Sequence, residues 1–131
     1  MPPINWLAVI VATIVAFVLG GLWYGPLFGK AWMKEMGIGP DHQPKIPRPA
    51  LFGITILLTF IAAMGFSAFL GPKPDLGLSI GAGICTGVTW VGFSMSITYM
   101  FAGRSLALML IDAGFAAVQF TLFGVVFGLM G

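Results

Sequence analysis

Four long apolar stretches, separated by short polar or proline-containing connections, dominate the hydrophobic pattern of this 131-residue chain. A helix needs about 20 mostly apolar residues to cross the hydrocarbon layer of a bilayer, and all four stretches reach that length. The pattern therefore predicts an all-α fold, a four-transmembrane-helix bundle that forms a single domain over residues 1–131. The predicted helices cover residues 4–24, 50–70, 76–101 and 106–130.

The first connection is the only long one, and it has two parts. Residues 28–36 are amphipathic, with Trp32 on the apolar side and Lys30 and Lys34 four residues apart on the polar side. This pattern predicts a short interfacial helix in the first loop. The stretch that follows, GIGPDHQPKIPRP, is rich in proline and is predicted to be an irregular loop.

Composition and charge support a membrane location. Hydrophobic residues make up 59% of the chain and charged residues only 8%, whereas soluble domains carry about 25% charged residues. The lipid bilayer is therefore the expected partner of most of the surface. The net charge of +2 is spread singly along the connections, which argues against nucleic acid as a partner.

The basic residues are unevenly divided between the connections. The second connection has only Lys73, whereas the first and third together have five: Lys30, Lys34, Lys45, Arg48 and Arg104. Short cytoplasmic loops of membrane proteins are enriched in Lys and Arg. We therefore expect loops 1 and 3 to be cytoplasmic and both termini to lie outside.

A polar stripe is predicted on the fourth helix. Asp112 is the one ionisable residue inside an apolar run, and such carboxylates are costly in lipid. Ser105, Asp112 and Gln119 are seven residues apart and therefore share one helix face. With the hydroxyls of Thr86 and Thr89 on the third helix, they form a candidate polar seam. The seam fixes helix packing through hydrogen bonds, handles protons or cations, or contacts a helix of another protein.

The depth and partners of Asp112 stay open at this point. Counting from Arg104 places the carboxylate ~12 Å inside the membrane, whereas counting ~20 residues back from the last residue places it at the interface. Its expected partners are the hydroxyls of the third helix, Arg104, or the same stripe on a second copy.

Small residues recur at four-residue spacing in three of the helices. Close backbone approach at such positions holds membrane helices together. The pattern predicts a tightly packed bundle with surface left for self-association. The positions concerned are Gly21, Gly25 and Gly29, Gly77 and Gly81, Gly83 and Gly87, and Gly124 and Gly128.

The stretch GGLWYGPLFGKAWM, residues 20–33, joins the first helix to the interfacial one. The pair Gly25-Pro26 is expected to end the first helix. The aromatic and basic residues on either side of this pair are candidate contacts with the membrane–water interface or with an anionic lipid headgroup. These candidates are Trp23, Tyr24, Lys30, Trp32 and Lys34.

The chain has no arrangement typical of an enzyme. It contains no HExxH, no paired carboxylates, no phosphate-binding loop and no Ser/His/Asp set. Its single histidine, His42, and single cysteine, Cys85, do not supply a metal site within one chain. We therefore expect no enzymatic activity, no metal and no cofactor.

Two blocks carry a resemblance to a known family. NWLAVIVATIVAFVLGGLWYGPLFGKAWM, residues 5–33, and LIDAGFAAVQFTLFGVVFGLMG, residues 110–131, resemble the small bacterial and fungal membrane proteins of domain-of-unknown-function family 1761. The resemblance covers essentially the whole chain. It implies a four-helix membrane protein of about this length with no assigned activity, and it adds no site residues. The expected location is a bacterial cytoplasmic membrane.

Three functions are compatible with the sequence. The first is a non-enzymatic accessory protein that packs against another membrane protein or against itself as a homo-oligomer. The second is an oligomeric transporter of a small solute, proton or cation, with a pathway around Asp112 and Gln119. The third is a binder of lipid or another hydrophobic ligand through the aromatic cluster that includes Trp23 and Trp32.

Overall fold

The computed structural model describes residues 4–39, 41 and 45–130 of the chain. This part is all-α and contains no strand, which confirms the predicted fold class. His42, in the proline-rich loop, lies outside the described residues. The helices are α1 (Trp6–Leu22), α2 (Gly29–Met36), α3 (Arg48–Leu70), α4 (Leu76–Cys85), α5 (Phe93–Phe101) and α6 (Leu106–Met130).

Two π-helical segments join these helices into four continuous spans. The first segment, Trp23–Leu27, extends α1, and the second, Thr86–Gly92, connects α4 to α5. The resulting spans are long and apolar enough to cross a membrane, as the hydrophobic pattern predicts. Spans 1 to 4 are, in order, Trp6–Leu27, α3, Leu76–Phe101 and α6.

The connections distinguish the two ends of the bundle. The described residues of loop 1 (28–39, 41 and 45–47) and loop 3 (residues 102–105) lie at one end, called the loop 1 end. The opposite end, called the termini end, holds Asn5, residues 71–75 and Met130. The side-chain amide of Asn5 donates a hydrogen bond to the Met130 carbonyl at 2.9 Å, so the first and last spans meet there.

Local sequence signals account for most helix boundaries. Asn5 and Asp75 are N-caps, and their side-chain oxygens accept from the backbone N–H groups of Ala8 and Leu78, each at 3.1 Å. Such caps satisfy donors that the first helical turn leaves free. At the other ends, Gly71 and Gly103 have φ values of +82° and +74°, a left-handed conformation that glycine adopts without strain.

The expected end of span 1 at Gly25-Pro26 is wrong. Pro26 lacks the N–H that would bond to the carbonyl one α-helical turn earlier. Instead of ending, the helix widens into the first π-helical segment, and the N–H of Phe28 bonds to the Trp23 carbonyl at 2.8 Å. Gly29 then starts α2 at a point where a Cβ would collide with the Tyr24 carbonyl. The turn therefore depends on both proline and glycine.

The apolar core lies in the half of the bundle toward the termini end. It joins small residues of α1 to aromatic residues of α3 and α6 around Phe66, Phe123 and Phe127. Span 4 occupies the centre, because it contacts spans 1, 2 and 3 as well as α2. The buried members are Ala8, Val9, Ala12, Ala16, Ala63, Phe66, Phe123, Val126 and Phe127.

Spans 3 and 4 approach each other backbone to backbone. A Cβ on Gly83 would collide with the Phe120 carbonyl, and one on Gly87 would lie 2.7 Å from the Ala116 carbonyl oxygen. On the facing helix, Gly124 packs against the carbonyl of Ser79, whose hydroxyl donates to the Gly124 carbonyl at 2.6 Å. In contrast, Gly81 has nothing within 4 Å of its Cβ position.

Candidate functional site

Asp112 lies buried between two tyrosines from different spans. Its side chain is 7% exposed. The hydroxyl of Tyr24, in the first π-helical segment, donates to Oδ1 at 2.5 Å, and the hydroxyl of Tyr99, in α5, donates to Oδ2 at 2.6 Å. These are the only two tyrosines in the chain. One carboxylate therefore ties spans 1 and 3 to span 4, and we call these three residues the carboxylate clamp.

The clamp belongs to the loop 1 end of the bundle. Asp112 is six residues into α6, which corresponds to ~9 Å of helix rise. Tyr24 and Tyr99 lie three and two residues from the ends of their spans. The carboxylate therefore lies midway between the start and the centre of α6, in the half of the bundle toward the loop 1 end.

Trp23 reinforces the contact next to Tyr24. Its indole N–H donates to the carbonyl of Ile111 at 2.9 Å, so two consecutive residues of span 1 hold two consecutive residues of span 4. Phe115, one turn further along α6, packs against both rings at centroid distances of 6.3 Å and 5.3 Å. The carboxylate thus sits beside an aromatic cluster that limits access of water.

The second π-helical segment positions Tyr99. Gly83 and Tyr99 are sixteen residues apart, and in an uninterrupted α-helix this spacing would turn them ~160° away from each other. A π-bulge adds one residue to a turn and so takes back ~100° of rotation. Gly83 and Tyr99 then lie within ~60° and both face span 4. The π-helical segment thus lets one span supply both a glycine contact and a hydrogen-bond donor.

Helix α2 covers the clamp from the side of loop 1. Trp32 packs edge-on against Tyr24, with ring centroids 5.9 Å apart. Glu35 accepts a hydrogen bond from the Ser105 hydroxyl at 2.5 Å, and Ser105 also caps α6 by accepting from the N–H of Leu108 at 3.1 Å. The short helix in the first connection is therefore docked on the bundle, and its position relative to a membrane stays a prediction.

The other members of the predicted polar seam are not brought to Asp112. Gln119 is half-buried and its side chain makes no hydrogen bond within the described part of the chain. Thr86 is buried in an apolar groove of about 250 Å³ beside Phe66 and Trp90. Thr89 is exposed, and its hydroxyl bonds to the Cys85 carbonyl at 2.6 Å. Of the predicted seam, only Asp112 belongs to the clamp. Ser105 does not contact the clamp but bonds to Glu35 of α2, the helix that covers it.

The aromatic and basic candidates of the first connection divide into two groups. Trp23, Tyr24 and Trp32 are half-buried and pack among the clamp residues. Lys30 and Lys34 are exposed on the outer side of α2. The aromatic rings therefore contact protein, and the lysines are the members of this set that remain available to a headgroup.

Sequence reasoning missed Tyr99 as a partner of Asp112. The helical periodicity of span 3 gives no sign of the register change at the π-helical segment. A usable signal is nevertheless present in the composition, because a chain with 12 phenylalanines has only two tyrosines. Both are placed near the loop 1 ends of their spans, within reach of the one carboxylate inside an apolar run.

The described chain has the features of a small helical membrane protein: four apolar spans, a docked amphipathic helix and one buried carboxylate. A family model described as "Protein of unknown function (DUF1761)" matches residues 7–128, and the chain therefore belongs to this family. This confirms the family resemblance of the sequence. No curated protein and no solved structure matches the chain.

Proposed function

We propose that this protein is a non-enzymatic membrane protein that acts by packing against a further membrane helix, in the first place that of another copy. The observation that carries the proposal is the exposure of the first half of α3. Its apolar side chains are exposed around the whole circumference of the helix, at 51% for Phe52, 45% for Ile54 and 60% for Leu58. In no other described span are so many consecutive residues exposed.

The residues within this half-helix favour protein contact over lipid alone. Gly53 has nothing within 4 Å of its Cβ position, so a second backbone can approach closely there. The hydroxyls of Thr55 and Thr59 bond to carbonyls of their own helix at 2.7 Å, so no polar group opposes burial. Close backbone approach is the main way in which membrane helices associate.

A matched pair of variants tests the proposal. Leu57→Ala with Leu58→Ala trims the exposed side of α3, and Leu110→Ala with Leu129→Ala trims side chains on α6 that are at least as exposed. In native mass spectrometry from lipid nanodiscs, we expect the wild type at a multiple of the 13.9 kDa chain, the α3 variant shifted toward one chain, and the α6 variant unchanged. A wild type that stays at one chain mass and has no stoichiometric protein partner would contradict the proposal.

The carboxylate clamp favours a second candidate, the transport of a proton or small cation by an assembly of chains. A buried carboxylate inside an apolar span is typical of ion pathways. Proteoliposomes with an internal pH-sensitive dye distinguish the two candidates. Transport predicts a flux that Asp112→Asn abolishes while the assembly keeps its mass, whereas equal dye traces for wild type, variant and empty liposomes would exclude proton flux.

A further inference from the structure

The carboxylate clamp places one hydroxyl donor on each oxygen of Asp112. Tyr24 and Tyr99 contact opposite oxygens at 2.5 Å and 2.6 Å, and O–H donors approach ionised oxygens at about 2.5–2.7 Å. An ionised carboxylate accepts on both oxygens and donates nothing. In the ionised form both tyrosines therefore bond to a charged acceptor at the same time.

Proton binding changes this arrangement in a defined way. A protonated Asp112 has one O–H donor of its own and keeps some acceptor capacity, so this O–H either bonds to a tyrosine oxygen or points to another acceptor. In both cases the tyrosine contacts lose the charged acceptor, whose hydrogen bonds are roughly twice as strong as neutral ones. A proton needs no cavity, which suits a carboxylate that is 7% exposed.

The charged and titratable neighbours are few and identifiable. Tyr24 faces the carboxylate from span 1 and Tyr99 faces it from span 3. Arg104 lies beside Tyr99, because its backbone N–H bonds to the Tyr99 carbonyl at 2.9 Å. Glu35 of α2 is held by Ser105, and Lys30 and Lys34 are exposed on the outer side of α2. The phenols are the groups that touch the carboxylate itself.

We propose that Tyr24, Asp112 and Tyr99 form a proton-binding site whose occupancy sets how tightly spans 1 and 3 are held to span 4 at the loop 1 end. Without the proton, both spans are fastened to Asp112. With the proton bound, both spans lose their charged acceptor and are held less tightly. Contacts at the termini end, such as that of Ser79 with the Gly124 carbonyl, involve neutral groups and do not respond. The site belongs to a single chain, so it does not depend on the partner proposed for α3.

Infrared difference spectroscopy of the reconstituted protein, recorded from neutral to acidic pH, tests the site. We expect acidification to produce the carbonyl band of a protonated carboxyl group in the wild type. The other acids, Glu35, Asp41 and Asp75, are present in both proteins, so the contribution of Asp112 is the part of the band that Asp112→Asn lacks. Identical carbonyl bands in the two proteins over the whole range would overturn the proposal.

Tyrosine variants keep the test decisive if Asp112→Asn does not fold. Tyr24→Phe and Tyr99→Phe keep the aromatic packing and remove one donor each. Because each variant removes one hydrogen bond from Asp112, each should shift the frequency of the Asp112 carbonyl band relative to that of the wild type. Ser79→Ala removes a neutral hydrogen bond at the other end and should leave the band in place. An unchanged band in both tyrosine variants would contradict the proposed site.

Discussion

The two ends of the bundle are held together by different means. At the termini end, glycines and small residues bring spans 3 and 4 into backbone contact around Gly124, and aromatic residues fill the core. At the loop 1 end, spans 1 and 3 reach span 4 through tyrosine hydroxyls on one carboxylate. Backbone contact is rigid and insensitive to pH, whereas a charged acceptor can gain or lose its charge. One chain thus combines a fixed end with an end that can respond to its surroundings.

The largest effect is expected from a methyl group at the fixed end. Gly83→Ala places a Cβ onto the Phe120 carbonyl, so one helix must shift. We expect a loss of about 3 kcal/mol in the free energy of unfolding, measured by denaturant titration in mild detergent. Gly81→Ala is the matched control, because its Cβ position is open, and it should not reduce stability. Equal effects of the two substitutions would argue against backbone contact between spans 3 and 4.

A smaller loss is expected from the carboxylate. Asp112→Asn keeps the shape of the side chain but offers only one oxygen to two tyrosine hydroxyls. We expect a loss of about 2 kcal/mol in the same titration at neutral pH. An unchanged free energy of unfolding in Asp112→Asn would contradict the role given to the carboxylate.

Removal of one phenol should cost less again. Tyr99→Phe removes the hydroxyl that contacts Oδ2 and leaves the ring in place, with an expected loss of about 1.5 kcal/mol. Combined with Asp112→Asn, the same substitution should add much less, because its acceptor is already weakened. Full additivity in this double-mutant cycle would mean that the two side chains do not interact.

The smallest effects are expected at the residues that the structure leaves apart from the clamp. Gln119→Leu and Thr89→Val should each change the free energy of unfolding by no more than about 0.5 kcal/mol, because neither side chain bonds to another helix within the described residues. A loss of stability as large as that of Asp112→Asn would support the polar seam predicted from the sequence.

The hydrophobic pattern was sufficient to predict the fold but insufficient to predict the site. Apolar lengths and the turns at Gly71 and Gly103 determine the spans, because a helix of fixed rise must cover the hydrocarbon layer. The shared face of Ser105, Asp112 and Gln119 follows from regular α-helix geometry. Pairing between spans does not, because the second π-helical segment changes the helical phase between Gly83 and Tyr99. Pro26 lies in the first π-helical segment, but from the sequence alone a proline more simply predicts the end of a helix.

The difference between the two ends can be tested directly by hydrogen exchange with mass spectrometry on Asp112→Asn at neutral pH. We expect amide exchange to increase in Trp23–Leu27 and in the last turn of α5, which the carboxylate holds. Exchange around Asn5, Ser79 and Met130 should equal that of the wild type. An increase that is uniform along the chain, or no increase at the loop 1 end, would contradict the conclusion that Asp112 holds this end of the bundle.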